Sequence, residues 1–271
     1  MILIITMFVP MIKIQSMDDS GMKLYILLWL LLLQMSVVEA RELKVGYFLT
    51  SPHVIGTDDD AHPKGVVVDL WERVAMKAGD SILWIKMPLA RVMKELEAKR
   101  IDGSSAFVPT LSRQKKFIFP ESILDMVQPA IVVRKDSSLN SLSNKDDLKD
   151  LVIGYFISGV VTPWFKQNNI EFELLAGGNA LERLLVQLSL KRVDAVYWPT
   201  ISAARFDAHK LHFNNNFKYI RSPMGPYPLK PMFSKSKTGK IMAENFDKAF
   251  KEVQEEYDIP HEKELYIKGE K

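Results

Sequence analysis

An arginine placed just past an apolar segment can hold an anion, and Arg113 stands in such a place. Residues 101–121 read IDGSSAFVPTLSRQKKFIFPE. An apolar-led segment, 101–108, runs into Pro109-Thr110. Arg113 then opens a basic cluster with Lys115 and Lys116, and a second apolar run, 117–120, follows. The planar fork of a guanidinium grips a carboxylate with two parallel hydrogen bonds, which a lysine cannot do. The competing reading is a solvated helix face, the ordinary fate of a charge run. Other chemistry is poorly served. Asp58, Asp59, Asp60 and His62 sit together, but adjacent carboxylates on a loop point in different directions, so a solvated loop is expected rather than a cation site. His209 and His212 have no third ligand close in sequence. There is no phosphate-cradling glycine loop and no Gly-x-Ser-x-Gly elbow. With no cysteine in 271 residues, disulfides, thiolate metal sites, thiol nucleophiles and a lipidated cysteine all drop out.

The elements that must position Arg113 alternate between strand and helix. Residues 43–48 (LKVGYF) predict a strand, and the Pro/Gly/Asp-rich stretch 49–64 a loop. Asp69 is expected to cap a helix carrying Leu70, Val74 and Ala78 on one face, ended by Gly79. A strand at 82–85 and a helix opened by Pro88 lead to the strand beginning at Ile101. A further strand at 130–134 (AIVVR) precedes a polar run. A second block follows: strand 151–156, a helix start at Pro163, strand 172–175, a helix capped by Asn179 and carrying Leu181, Leu184, Leu185 and Leu188, and strand 193–198. The alternation predicts an α/β protein with parallel sheets. A Pro-rich crossing at 222–231 leads to a last helix whose stripe of Met242, Phe246, Phe250, Val253 and Tyr257 is core packing, stopped by Pro260.

Composition is that of a globular protein, 47% hydrophobic and 25% charged. The net charge of +3, dispersed along the chain, gives no nucleic-acid footprint. Met22-Lys23 precedes ten unbroken apolar residues, 24–33, and the small-residue ending Val38-Glu39-Ala40. This predicts a secretory signal at 22–40, cleaved after Ala40, with Met22 as the start of translation. Ten helical residues rise only about 15 Å, too little to span a bilayer. Loss of residues 1–40 removes two lysines and three acids, leaving 34 basic and 30 acidic side chains.

With these features on the page, the chain resembles the extracytoplasmic solute-binding proteins of family 3, the amino-acid-type receptors of ABC transporters, over about residues 43–257. The resemblance rests on LKVGYF with Pro52 and KGVVVDLWERVAMKAG, on Pro88 with Arg91, and on Ile101-Asp102-Gly103. It continues through Thr110-x-x-Arg113 before Phe117–Pro120, Val132-Val133-Arg134-Lys135-Asp136, Ile153-Gly154 and Arg192-Val193-Asp194-Ala195-Val196. It implies a type II periplasmic-binding-protein fold: two lobes joined by two crossovers, with ligand in the cleft and hinge closure around it. Lobe 1 would hold 41–132 with 227–271, and lobe 2 would hold 135–221. The implied protein is a monomeric periplasmic receptor without catalysis or cofactor, delivering a small ligand to a membrane ABC permease.

By the same resemblance, Arg113 falls on the carboxylate-binding arginine and Thr110 on the turn before it. Arg91 faces the cleft or pairs with an acidic neighbour. His53 stands where the family often has a ligand-stacking aromatic. Ser105 and Phe107, with Ser104, lie at the strand end. Ser158 and Gly159 precede a helix start whose N–H groups attract anions. The family's aspartate for an α-ammonium is replaced by Tyr197-Trp198-Pro199, where Trp198 offers a stacking face. An acidic or aromatic ligand, rather than a standard α-amino acid, is therefore expected. Two alternatives share the scaffold: a dehydratase of a cyclic carboxylate, with His53 as base, and a sensory binding subunit for a separate membrane kinase.

Overall fold

A computed structural model describes residues 41–271 apart from 57–61, 158–160 and 177–179. The expected signal peptide lies outside the described residues, and so do Ser158 and Gly159. Among the described residues, no helix is long and apolar enough to cross a membrane.

The fold is α/β, built on two mixed sheets. The first contains β1 (Glu42–Tyr47), β2 (Ser81–Lys86), β3 (Gly103–Phe107), β4 (Phe117–Ile118), β5 (Asp125–Val127) and β11 (Tyr227–Ser234), in the order β2-β1-β3-β11-β4 with β5 on β11. The second has the order β10-β6-β9-β7-β8, from β6 (Ala130–Arg134), β7 (Ile153–Phe156), β8 (Glu173–Leu175), β9 (Ala195–Trp198) and β10 (Phe217–Arg221). Parallel pairing joins β1 to β2 and β3, and β7 to β8 and β9. The all-parallel expectation fails because β11, β6 and β10 run antiparallel to their neighbours. β11 escaped the sequence reading through its prolines, which cannot donate to a ladder. Pro228 lies in the part of β11 that pairs only with β5, and Pro231 falls at the register shift between Lys230 and Met232, where the ladder is already interrupted.

Eight helices cover these sheets among the described residues. In the first lobe they are α1 (Val66–Ala78), α2 (Leu89–Glu97), α3 (Leu111–Lys116), α7 (Lys237–Glu256) and α8 (Ile259–Lys268). In the second they are α4 (Pro163–Gln167), α5 (Ala180–Ser189) and α6 (Ile201–Lys210). Helix α1 is capped at Gly65, four residues ahead of the expected cap, so Asp69 lies inside the first turn. There its carboxylate accepts from Tyr257 Oη at 3.2 Å, Tyr266 Oη at 3.0 Å and Lys271 Nζ at 2.6 Å, tying the C-terminal segment to α1. Gly79 ends α1 in the left-handed region, as expected. Pro260 does more than stop α7: it sits in the first turn of α8, where its missing N–H has no intrahelical role.

The stripe on α7 is buried against α1 and the first sheet, with Met242, Phe246, Phe250 and Val253 all in the core around Trp71. The helix starts with Ser236, whose Oγ accepts from Gly239 N at 2.9 Å. A Cβ at Gly239 would lie 2.0 Å from the Ser234 carbonyl oxygen. Alanine normally stabilises a helix by up to about 1 kcal/mol over glycine. Here the sign reverses: Gly239→Ala is expected to destabilise by about 2 kcal/mol, a fall of roughly 4–8 °C in melting temperature for a chain of this size. A melting temperature that stays level or rises would contradict the packing described.

Two crossings join the lobes. All five residues of β6 pair with β10, so Gln128 and Pro129 precede the second sheet. Ser222 N donates to the Pro129 oxygen at 2.8 Å, and the Gln128 amide donates to the Ser222 oxygen at 3.3 Å, holding the two crossings side by side. The last helix adds a brace. Arg205 on α6 makes a two-pronged pair with Glu264 on α8.

Candidate functional site

The end of β3 and the start of α3 form the positively charged side of the candidate site. Strand β3 is buried along its whole length. Ser105 is fixed through its carbonyl, which accepts from Trp71 Nε1 at 2.7 Å, and Ser104 Oγ donates to the Met232 oxygen at 3.3 Å. Phe107 closes the strand in a cluster with Met232 and Phe117, its ring 5.2 Å from that of Phe48. The chain then turns, and Thr110 caps α3 by accepting from Arg113 N at 3.3 Å. This cap fixes where Arg113 leaves the backbone.

The Arg113 guanidinium is held from two sides. Its Nη1 donates to the Val108 oxygen at 2.8 Å, and its central carbon sits 4.9 Å from the centre of the Phe107 ring. Burial pushes its pKa below the usual arginine value, and no charged neighbour offsets that. An arginine remains protonated at any physiological pH. The result is a half-buried cation, pre-oriented and without an acidic partner among the described residues.

The other residues singled out in the sequence divide clearly. Arg91 is exposed on α2 and pairs with Glu95 one turn on, at 3.6 Å, which is the acidic-neighbour alternative. His53 is buried at 2% exposure, and its Nε2 meets Asp125 Oδ2 at 2.8 Å, so the ring is engaged with the crossing strand and not free to stack on a ligand. The same Asp125 accepts from Lys263 Nζ of α8 at 2.8 and 2.7 Å. Trp198 is fully buried among Leu184, Leu185 and Ala204, and its indole nitrogen has no hydrogen-bond partner. Tyr197, on the opposite face of β9, packs on Tyr155, Phe165 and Phe172. Its hydroxyl accepts from Thr162 N at 3.3 Å. Both aromatic rings therefore serve the core of the second lobe. His62 lies against Glu72 at 3.0 Å, and among the described residues no group of histidines and acids is arranged to hold a metal ion.

Sequence reasoning missed the partners of the crossing, Asp125, Lys263 and Gln128, and gave no role to Tyr227. Their contacts link positions more than 70 residues apart, and no local pattern reports such pairs.

The signature of the bacterial extracellular solute-binding proteins, family 3, matches residues 43–268. The chain belongs to this family. This solute-binding protein also resembles solved structures in fold. One is the probable amino-acid ABC transporter extracellular-binding protein ytmK from Bacillus subtilis, at 17% identity and a TM-score of 0.68, covering 86% of this chain and all of that one (100%). Another is the amino acid ABC transporter substrate-binding protein AbpA from Streptococcus pneumoniae bound to L-arginine, at 17% identity and 0.66, covering 84% and 94%. A third is a histidine kinase sensor domain with similarity to periplasmic binding proteins, at 14% identity and 0.66, covering 84% and 96%. No curated protein sequence matches the solute-binding protein described here.

Proposed function

We propose that this chain is a periplasmic receptor that captures a small carboxylate-bearing solute and presents it to a membrane ABC permease. The observation that carries this reading is Arg113. A half-buried guanidinium with no acidic partner among the described residues is costly for the free protein and becomes favourable when a carboxylate arrives. The anchor on Val108 and the Phe107 ring keeps the fork in place, which lowers the ordering cost of binding. Two of the solved relatives carry ABC-transporter names, which supports the permease as partner.

The enzyme alternative needs a free general base. His53, its candidate, is buried against Asp125. The same capture would serve a sensory subunit, and the histidine kinase sensor domain among the relatives keeps that reading open as a variation in partner, not in site.

The test is a thermal-shift and calorimetric screen of the secreted protein against small organic acids, each paired with its methyl ester. A ligand that binds only the folded state raises the melting temperature by mass action. The expected result is an acid that binds and an ester that binds at least tenfold more weakly, since the ester offers no charge to the guanidinium. Equal binding of acid and ester would overturn the proposal.

A further inference from the structure

A cavity of about 340 Å³ opens where the two lobes meet beside the crossings, and neither Arg113 nor any residue of the turn that aims it lines this space. Its walls come from the first residues of α6, from the stretches flanking the two crossings, and from α8. Three cations line it, Arg205, Arg221 and Lys263, against one acid, Glu264. Two of the cations are already engaged. Arg205 makes its two-pronged pair with Glu264, and Lys263 Nζ bonds both oxygens of Asp125. Neither is saturated, because a guanidinium or an ammonium carries more N–H donors than one carboxylate fills. Arg221, exposed at the end of β10, has no acidic partner among the described residues.

The start of α6 adds donors to the same wall. Ile201 N is taken by the Gln128 oxygen at 2.9 Å, which seats the helix on the outgoing crossing. The next amide, Ser202 N, has no acceptor among the described residues, since Thr200 stands at the cap position and its side chain caps nothing. The Thr200 and Ser202 hydroxyls lie 2.9 Å apart and share one bond, so one of their two protons is left without an acceptor among the described residues. Ser202 is only 9% exposed, and both residues line the cavity.

Spare donors and an unmatched positive charge thus converge on one space, and the one acid in its wall is held by Arg205. A cation entering would meet three like charges, and an apolar group would leave the donors unpaired. An oxyanion meets both demands: its oxygens only accept, and its charge offsets the repulsion among the cations. The volume is at the small end of ligand cavities, which run from about 300 to 1,000 Å³. We infer that this cavity is a second ligand site, independent of Arg113, for a small doubly charged oxyanion: inorganic phosphate, sulfate or a short dicarboxylate. Arg221 supplies the unmatched charge, and the α6 end, Arg205 and Lys263 supply further donors. Both lobes contribute to the wall, so an occupant bonds to both sides of the hinge at once.

The experiment is calorimetric titration of the secreted protein with phosphate, sulfate and succinate, with acetate as the singly charged control, all at one ionic strength set with sodium chloride. It is run on the wild type and on Arg113→Ala, which removes the other anion site. The expected result is that at least one of the three dianions binds about tenfold or more tightly than acetate, and equally well in both proteins. Which of them binds separates the inorganic from the organic source. Arg221→Ala, a change at an exposed side chain, is expected to weaken that dianion about tenfold, the loss of one charge-assisted contact, and Arg221→Lys to restore part of it. Ser202→Ala should act in the same direction as Arg221→Ala. Dianions that bind no more tightly than acetate would overturn the inference. So would binding that is unchanged in Arg221→Ala, or binding that disappears in Arg113→Ala. None of these three results touches the receptor reading, which rests on Arg113 alone.

Discussion

Asp125→Asn is expected to destabilise the protein by about 3–5 kcal/mol at neutral pH, the usual cost of stripping one partner from a buried ionic group. Three separated parts of the chain meet on this side chain, which is only 8% exposed. His53 comes from the loop after β1, Asp125 itself from the crossing strand β5, and Lys263 from the last helix, α8. Without the carboxylate, the Lys263 ammonium is left largely buried with no anion, and the His53 ring faces a neutral amide in place of a charged partner. The consequence extends further, because Glu264, the next residue on α8, holds Arg205 of the second lobe. A loosened α8 would loosen that brace as well. The pH dependence has a definite sign. Burial alone would raise the Asp125 pKa, but the hydrogen bond and charge of His53 and then those of Lys263 outweigh it, and the net value is depressed. A carboxylate depressed in the folded state contributes stability above its unfolded pKa, near 3.9, and loses it as pH falls through the lower folded value. Urea unfolding at pH 7 and again at pH 3 should show the gap between wild type and Asp125→Asn shrinking on acidification. A gap that stays constant, or one under about 1 kcal/mol at pH 7, would show that the cluster is not the anchor described.

What the sequence disclosed follows from the range of the interactions involved. β6 was legible to the residue because its apolar run Ala130–Val133 is buried and needs no partner to be recognised as a strand. The α7 stripe was legible because its period reports a single apolar face. Asp69 was misplaced because an acid ahead of an apolar run looks like a cap. Its real partners, Tyr257, Tyr266 and Lys271, lie about 190–200 residues away. Pro260 was read as a stop after α7, but the same residue is a favourable first-turn residue, and it stands in the first turn of the ten-residue helix Ile259–Lys268. His53 shows the limit most plainly. The resemblance put it at a ligand-stacking position, and only the fold brings Asp125 against it. For the candidate site, the turn that aims Arg113 is local, Thr110 and Arg113 being three apart, and so it could be read. The bond from Thr162 N to the Tyr197 hydroxyl joins positions 35 apart and could not.

The largest functional effect is expected at Arg113. Arg113→Ala should weaken binding of the carboxylate ligand by 100-fold or more, the range seen when one member of a desolvated charge pair is removed. Arg113→Lys should fall between, losing about tenfold. It keeps a positive charge but has no rigid fork, and its ammonium is more strongly hydrated, so it gives up the two parallel bonds and the guanidinium's contact with the Phe107 ring. Stability of the ligand-free protein separates a binding role from a structural one. In the free state the guanidinium has lost water without gaining an acid among the described residues, and its compensation there is one bond to Val108 and one aromatic contact. Removing it should therefore leave the ligand-free melting temperature nearly unchanged, within about 2–4 °C, equivalent to roughly 1 kcal/mol. The mass-action rise on adding ligand should vanish. If the alanine variant instead melted far below wild type in the absence of ligand, Arg113 would be a packing residue of the β3–α3 turn. If it melted normally and still bound the acid with undiminished affinity, the anion would be held elsewhere in the cleft.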